Sequence, residues 1–158
     1  ADYGPLLFTN LNQSAKFEEW IAPVRKRIDW MKPEEFQHAP QYSAIYEIDA
    51  HWALYVDNYL EGYHLPFVHP GLTQVVDYGT YRTELSAWRS LQRSPITDDQ
   101  GAYALGEALY FFIFPNTMLN IMPGRLQTNR VVPDGLGRCR VEFDFYSEYF
   151  YNYHKYLR

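Results

Sequence analysis

The sequence is poor in cysteine, because Cys139 is the single one among 158 residues. One cysteine excludes a disulfide within the chain, a thiolate-rich zinc site and an iron–sulfur cluster held by this chain alone. No apolar run approaches the ~20 residues that span a bilayer, and no basic run offers a footprint for nucleic acid. We therefore expect a cytoplasmic protein with neither a nucleic-acid partner nor a membrane partner.

Aromatic side chains, by contrast, are abundant. They make up 18 % of the chain, as fifteen Tyr, ten Phe and four Trp. The length indicates a single domain with a core of its own. So many rings can fill that core or line a large cavity, and composition alone favours the core.

The apolar pattern predicts helices in the first half of the chain and strands in the second. A capping signature at Ser14 predicts a helix over 14–28 that Pro23 bends or ends. Further helices are predicted over 51–64 and 148–158. Strands are predicted over 42–50, 78–91, 108–114, 117–122, 125–132 and 138–146, with a hairpin loop at 133–137. Helices packed on one face of an antiparallel sheet make an α+β domain.

The stretch "DNYLEGYHLPFVHPGL" carries two histidines, His64 and His69, and an acid, Glu61, three residues before the first. On an unbroken helix, residues five apart point ~140° away from each other and could not share a metal ion. Pro66 and Pro70 each disfavour helical geometry in the residue before them. We therefore expect the helix to end near His64 and a turn to bring the second imidazole towards the first.

Two neutral imidazoles and a carboxylate, with positions left open, form the site that non-haem Fe(II) oxygenases use. On the predicted helix, Asp57, Glu61 and His64 share the face opposite Val56 and Tyr59. A bare pair of histidines is weak support, because a histidine at a helix end is more often a cap or a packed side chain. The polar face could equally be solvated.

The same stretch resembles the iron-binding motif of the Rieske non-haem iron oxygenases, the ring-hydroxylating oxygenases, in the catalytic domain of their large α subunit. The family pattern is Asn, an aromatic, any residue, Glu or Asp, any residue, Tyr-His, four residues and His. Here it runs from Asn58 to His69. "PNTMLNIMPGRLQTNRVVP" also resembles the sheet of that domain, and "YGPLLFTNL" resembles the exit from a preceding Rieske domain. The resemblance thus implies a tail of a Rieske-type domain over 1–12 and a catalytic mononuclear-iron domain over 13–158.

The resemblance further implies a helix-grip (START/Bet v1-like) fold, in which a curved antiparallel sheet wraps a long helix. It implies His64 and His69 as ligands of a mononuclear Fe(II). It implies that Glu61 links a ligand histidine to a histidine on the [2Fe–2S] cluster of a neighbouring subunit. Asn58 is expected near the iron. Asp57 is expected either to support the bridge or to be an ordinary surface acid.

Two features depart from the family pattern. A Rieske cluster needs two cysteines and two histidines, so the [2Fe–2S] cluster is expected from a Rieske domain absent from this sequence. The family's third iron ligand is an aspartate well downstream. Here Asp144 is predicted to point away from the core, and nothing supports Glu148. We expect a few dozen residues to be missing between about Tyr146 and Tyr149.

The leading hypothesis is an enzyme, a mono- or dioxygenase that uses O2 to hydroxylate, dihydroxylate or demethylate a small organic substrate. A reductase or ferredoxin would supply electrons, and the resemblance implies a homotrimer or a multiple of one. The alternative is a helix-grip ligand-binding module with a degenerate metal site. A zinc hydrolase would need a third ligand and a general base that we cannot place. The rings would suit aromatic-compound catabolism, or would hold a quaternary amine by cation–π contact.

Overall fold

The fold was analysed in a computed structural model, which describes residues 1–12, 15–74, 76–97 and 106–148. Within these ranges the chain forms four α-helices, which are α1 (Phe17–Ile28), α2 (Trp52–Leu60), α3 (Leu65–Val68) and α4 (Pro70–Thr73). The strands are β1 (Asp2–Tyr3), β2 (Leu6–Leu7), β3 (Gln37–His38), β4 (Ala44–Ile48), β5 (Arg82–Ser86), β6 (Arg89–Pro95), β7 (Glu107–Ile113), β8 (Thr117–Met122), β9 (Arg125–Pro133) and β10 (Cys139–Ser147).

Eight of these strands form one antiparallel sheet. Its order is β3–β10–β9–β8–β7–β6–β5, and β4 also pairs with β10. Strand β10 therefore holds β9 along one edge, and β4 and β3 along the other, with Ala44 opposite Phe143. The predicted α+β class, an antiparallel sheet packed on helices, is confirmed.

Helices cover both faces of this sheet, whereas the sequence predicted helices on one face. Alternate side chains of β7 show the arrangement, because Phe111 packs in a cluster with α1 while Phe112 packs in a cluster with α2. Side chains alternate between the two faces of a strand. A sheet buried on both sides therefore needs the nearly continuous apolar run "ALYFFI" of β7.

Helix α1 begins later than predicted and passes through its proline. Its N-cap is Lys16, whose side chain makes no capping hydrogen bond, and Ser14, the expected cap, lies outside the described residues. Pro23 lies inside the helix, which continues to Ile28. Proline in a helix interior costs about 3 kcal/mol. Full burial of three apolar side chains (Ile21, Val24 and Ile28) offsets that cost, at roughly 1.5–3 kcal/mol each.

The predicted strand over 78–91 is two strands joined by a tight turn. Strand β5 ends at Ser86 and β6 starts at Arg89. Trp88, in the turn, has a φ of 68°, in the left-handed region that glycine normally occupies. Neither Gly, Pro, Asn nor Asp occurs in this turn, so the sequence carries no turn signal there. The other five predicted strands match β4, β7, β8, β9 and β10 to within two residues at each end, whereas the short strand β3 was not predicted.

The N-terminal hairpin of β1 and β2 packs against α1. The Tyr3 hydroxyl donates a hydrogen bond to Asp29 Oδ1 at 2.7 Å, and the Arg25 guanidinium lies 5.2 Å from the centre of the Tyr3 ring. The domain boundary between residues 12 and 13 stays a prediction. Apart from Glu148, the helix predicted over 148–158 lies outside the described residues. In the part of the chain that the structure describes, no helix is long and apolar enough to cross a membrane.

Candidate functional site

Helix α2 carries the first part of the histidine motif to the sheet. It begins after His51, whose Nδ1 accepts a hydrogen bond from the Ala53 backbone N–H at 3.3 Å. It ends at Leu60, and Glu61 is extended, with φ −114° and ψ 156°. The helix thus ends four residues before His64, and the prediction that Glu61 and His64 share a helix face is wrong. They meet instead across the turn that follows the helix.

The two prolines of the motif act differently. Pro66 lies in the first turn of α3, where its missing N–H costs nothing, so it helps to start a helical turn after His64 rather than to prevent one. Pro70 acts as predicted, because His69 leaves helical geometry with φ −121° and ψ 62°. The rings of His64 and His69 consequently lie with their centres 5.2 Å apart and their planes at 75°. The prediction that a turn brings the two imidazoles together is confirmed.

Glu61 is held against the first of these histidines. Its carboxylate accepts hydrogen bonds from the His64 ring Nδ1, from the Tyr63 backbone N–H and, at 3.3 Å, from the His64 backbone N–H. Partial burial favours the neutral acid, but the hydrogen bonds from His64 and Tyr63 outweigh it and lower the pKa of Glu61. An ionised carboxylate only accepts, so Nδ1 of His64 carries a proton, and in the neutral imidazole Nε2 then keeps its lone pair.

This arrangement fits part of a metal site. Two imidazoles lie side by side, and a carboxylate fixes the tautomer of one of them, as outer carboxylates do for ligand histidines. The described residues contain no group of three His, Cys, Asp or Glu side chains that could hold an ion together. Asp144, considered above as a third ligand, instead contacts His38 Nε2 at 3.0 Å. Asp144 does not line the cavity that opens beside His64 and His69. Glu148 does not line it either.

A cavity of about 400 Å³ opens beside the histidines. That volume suits a small organic ligand. Among the described residues that line it, Glu61 is the one carboxylate and none is lysine or arginine. Rings form much of its wall, from Tyr55, Tyr59, Tyr81, Tyr110 and Phe143, and the remaining lining residues are Asn58, Leu65, Leu72, Gln92, Asn120 and Asn129 beside Glu61, His64 and His69.

Three tyrosines of this wall, Tyr55, Tyr59 and Tyr81, stay protonated. Burial raises the pKa of Tyr55 to about 12 and raises the pKa of Tyr59 and of Tyr81 above the ordinary value for a phenol. Their rings therefore meet a ligand as neutral π-faces and hydroxyls rather than as phenolates. Such a wall attracts a cation through ring quadrupoles.

Of the two residues expected to support the iron site, one reaches the cavity. Asn58 lines it, and its position near an iron ion stays a prediction. Asp57 is exposed on α2 and does not line it, so its support of the bridge stays a prediction. The sheet residues Gln92, Asn120 and Asn129 also line the cavity, and they were not predicted from the sequence. A signal was present in β6, where Ser90, Gln92 and Ser94 place polar groups at alternate buried positions.

A larger hollow, of about 530 Å³, lies elsewhere, between α1 and the turns that follow β5 and β7. Its described lining includes Phe8, Trp20 and Trp88 but no histidine, aspartate or glutamate. It therefore lacks the groups that the chemistry of the histidine motif needs, and the smaller cavity is the candidate site.

Gly62 gives a direct test of how tightly the turn is packed. A Cβ there would lie 3.0 Å from Cε1 of the Tyr81 ring, whereas a Cβ at Gly71 would meet nothing within 4 Å. We expect Gly62→Ala to lower the free energy of unfolding by about 1–3 kcal/mol through overpacking. Gly71→Ala should be neutral or raise it by up to about 1 kcal/mol. Denaturant unfolding of the full-length protein measures both, and equal values for the two variants would contradict this packing.

The chain is similar to several known proteins. A family model described as the catalytic domain of the ring-hydroxylating α subunit matches residues 33–149. A chloroplastic choline monooxygenase of Arabidopsis thaliana is 41 % identical over 109 residues, which cover 65 % of this chain and 26 % of that protein. A chloroplastic choline monooxygenase of Beta vulgaris is 30 % identical over 159 residues, covering 94 % and 35 %.

A solved structure has the same fold. It is that of a quaternary ammonium Rieske monooxygenase described in terms of carnitine oxidation and inter-subunit electron transfer. The TM-score is 0.78 at 23 % identity, covering 94 % of this chain and 42 % of that one. The chain thus spans about a quarter to two fifths of the length of these three proteins.

Proposed function

Because the chain belongs to the family of ring-hydroxylating α-subunit catalytic domains, we propose that it is the substrate-binding and iron-binding part of a monooxygenase that acts on a small quaternary ammonium compound. The observation that carries the proposal is the pair His64 and His69 at a cavity walled by neutral tyrosine rings. The names of the relatives favour monooxygenation over dioxygenation, and a cationic over an aromatic substrate. The cytoplasmic location stays a prediction.

In this proposal His64 and His69 hold a mononuclear Fe(II). Iron bound there would supply the activation of O2, with electrons from a [2Fe–2S] cluster in a Rieske domain outside this sequence. Glu61 keeps the proton on Nδ1 of His64 and so leaves Nε2 for the metal. The third ligand would come from outside the described residues. The segment expected to be missing between residues 146 and 149 remains one proposed source.

Glu61 also has a second proposed role. In the homotrimer, or multiple of one, that the family resemblance implies, it would link His64 to the cluster of a neighbouring subunit. Its position supports this, because a carboxylate already bound to a ligand imidazole needs only one further hydrogen bond to complete the link. A reductase or ferredoxin would then reduce the [2Fe–2S] cluster again.

The cavity supports a particular substrate chemistry. A quaternary ammonium group has no N–H to donate, so rings serve it better than carboxylates. The described lining offers no lysine or arginine to pair with a carboxylate on the ligand. It does offer the Asn129 carboxamide to a neutral polar group, because the buried Asn129 Oδ1 has no hydrogen-bond partner among the described residues. We therefore expect a preference for a quaternary amine with a neutral polar end, such as choline, over one that carries a carboxylate, such as carnitine.

Binding to the full-length protein tests this preference. The matched ligand is the uncharged carbon analogue of choline, in which a tert-butyl group replaces the trimethylammonium group. A desolvated cation–π contact contributes about 2 kcal/mol, so we expect choline to bind about 30-fold more tightly than the analogue, measured by calorimetry. Carnitine should also bind more weakly than choline. Equal binding of choline and its neutral analogue would rule out cation recognition by this cavity.

Turnover with labelled dioxygen tests the reaction class. A monooxygenase places one atom of ¹⁸O₂ in the product and releases the other as water. Two labelled atoms in one product molecule would favour the dioxygenase reading.

A further inference from the structure

We propose that Gln92 is a positioning residue of the metal site. Together with Tyr59 and Tyr81 it forms a clamp that fixes the turn between the end of α2 and His64. This inference rests on the proposed function, since it concerns how His64 and His69 are held for a metal ion. It adds a strand residue, remote in sequence from the histidine motif, to the parts that set the site.

The clamp begins at the end of α2. The last carbonyls of a helix have no partner within the helix. One of these, the Tyr59 carbonyl, accepts a hydrogen bond from Gln92 Nε2. A side chain of the sheet therefore caps the helix, which stops at Leu60 and leaves Glu61 extended.

The other side of the same carboxamide holds Tyr81. Gln92 Oε1 accepts a hydrogen bond from the Tyr81 hydroxyl at 2.8 Å. The Tyr81 ring in turn lies against Gly62, where a Cβ would come 3.0 Å from Cε1. The Glu61–Gly62 segment is thus held between the capped helix end and the Tyr81 ring, and this segment leads directly into His64.

The burial of Gln92 supports a positioning role. Its side chain is 2 % exposed, and a buried amide is costly unless both of its groups find partners. Here both partners are residues that line the candidate site, Tyr59 and Tyr81. An apolar residue would suit a buried sheet face better. We therefore attribute the amide at this position to its hydrogen bonds with Tyr59 and Tyr81.

A second tie keeps Tyr59 in place without Gln92. The Tyr59 hydroxyl donates to Asn120 Oδ1 at 2.6 Å, and Asn120 Nδ2 donates to Gln127 Oε1 at 3.1 Å. Loss of Gln92 would therefore free the backbone end of α2 and the Tyr81 ring while the Tyr59 side chain stays anchored. The expected effect is a local change at the turn rather than loss of the fold.

Metal affinity of the full-length protein tests the proposal. Residues that only orient a ligand typically contribute 10–100-fold to metal affinity. We expect Gln92→Leu to weaken binding of Fe(II), and of Co(II) as a spectroscopic probe, by about that factor, and to shift the visible absorption of the Co(II) form. The matched control is Ser90→Ala, which removes a buried hydroxyl from the same face of the same strand. It should leave both readouts as in wild type.

Two further variants separate the two hydrogen bonds of the clamp, the one to the Tyr59 carbonyl and the one from the Tyr81 hydroxyl. Gln92→Glu can still accept from Tyr81 but, once ionised, cannot donate to the Tyr59 carbonyl, so it should also weaken metal binding. Tyr81→Phe keeps the ring beside Gly62 and removes only its hydroxyl, and it should have a smaller effect. If Gln92→Leu does not fold, Tyr81→Phe serves as the test in its place. An unchanged Co(II) spectrum and metal affinity in Tyr81→Phe would then overturn the proposal.

Wild-type affinity in Gln92→Leu, or an equal loss in Ser90→Ala, would also overturn the role of Gln92. Neither result would touch the proposed function. Failure of the wild-type protein to bind Fe(II) or Co(II) at all would instead refute the proposed function, and the clamp with it.

Discussion

Replacement of His64 by alanine is expected to remove mononuclear iron from the full-length protein. The imidazoles of His64 and His69 are the two proposed ligands, and their ring centres lie 5.2 Å apart. Loss of the His64 imidazole leaves only the His69 imidazole, and it leaves the Glu61 carboxylate without its ring N–H donor. Because residues that merely orient a ligand contribute 10–100-fold to affinity, loss of a ligand itself should exceed about 100-fold. Iron content should fall from about one atom per chain to near zero.

The measurement is the iron and zinc content of anaerobically purified protein. His38→Ala is the matched control, since it removes an exposed imidazole that contacts Asp144 away from the cavity. Its iron content should equal that of wild type. Stoichiometric iron in His64→Ala would contradict the assigned ligands. Zinc in place of iron in wild type would favour a hydrolase, and no metal after anaerobic reconstitution would favour a ligand-binding module.

Replacement of Glu61 by glutamine should separate metal binding from turnover. The amide keeps the size of the side chain and can still accept a hydrogen bond from Nδ1 of His64. It removes the negative charge that polarises the imidazole and, in the proposed assembly, links it to a neighbouring cluster. We expect iron to be retained within about tenfold and turnover driven by the natural electron donor to fall on the order of 100-fold.

The charge-matched comparison is Asp57→Asn. It removes one negative charge from the same motif, on a side of α2 that does not line the cavity. Its turnover should stay within about twofold of wild type, measured as the rate of product formation per bound iron with the natural electron donor. Undiminished turnover in Glu61→Gln would remove Glu61 from the electron path. A loss in Asp57→Asn as large as in Glu61→Gln would show that Asp57 does support the bridge.

The two histidines and their acid could be predicted from sequence because local rules place them. Pro70 forces His69 out of helical geometry, and Pro66 fits a first helical turn, so both effects act within a few residues. The end of α2 could not be predicted in the same way. It stops at Leu60 because a side chain of a distant strand, Gln92, binds the Tyr59 carbonyl. No pattern within the helix itself encodes that partner.

The sheet shows the same division between local and distant causes. The hairpin loop after β9 was predictable from "PDGLG", since Gly135 supplies the positive φ that such turns favour. The turn between β5 and β6 was not, because Trp88 adopts a positive φ without any residue that signals it. The cavity wall was also hidden, since Tyr110 and Asn120 become neighbours of the histidine motif only through strand pairing.

The place of β10 in the sheet has a consequence for biosynthesis. Strand β10, which joins β4 to the rest of the sheet through pairs such as Ala44 with Phe143, is the last of the described strands along the chain and so the last to leave the ribosome. Helix α2 and both histidines follow β4 directly, so they emerge long before the surface on which they pack exists. Non-local pairing of this kind is slow to form, and domains fold as units once their chain is complete. The two histidines therefore do not reach their folded arrangement before β10 is made, and we expect the proposed metal ion to bind after β10 has joined the sheet.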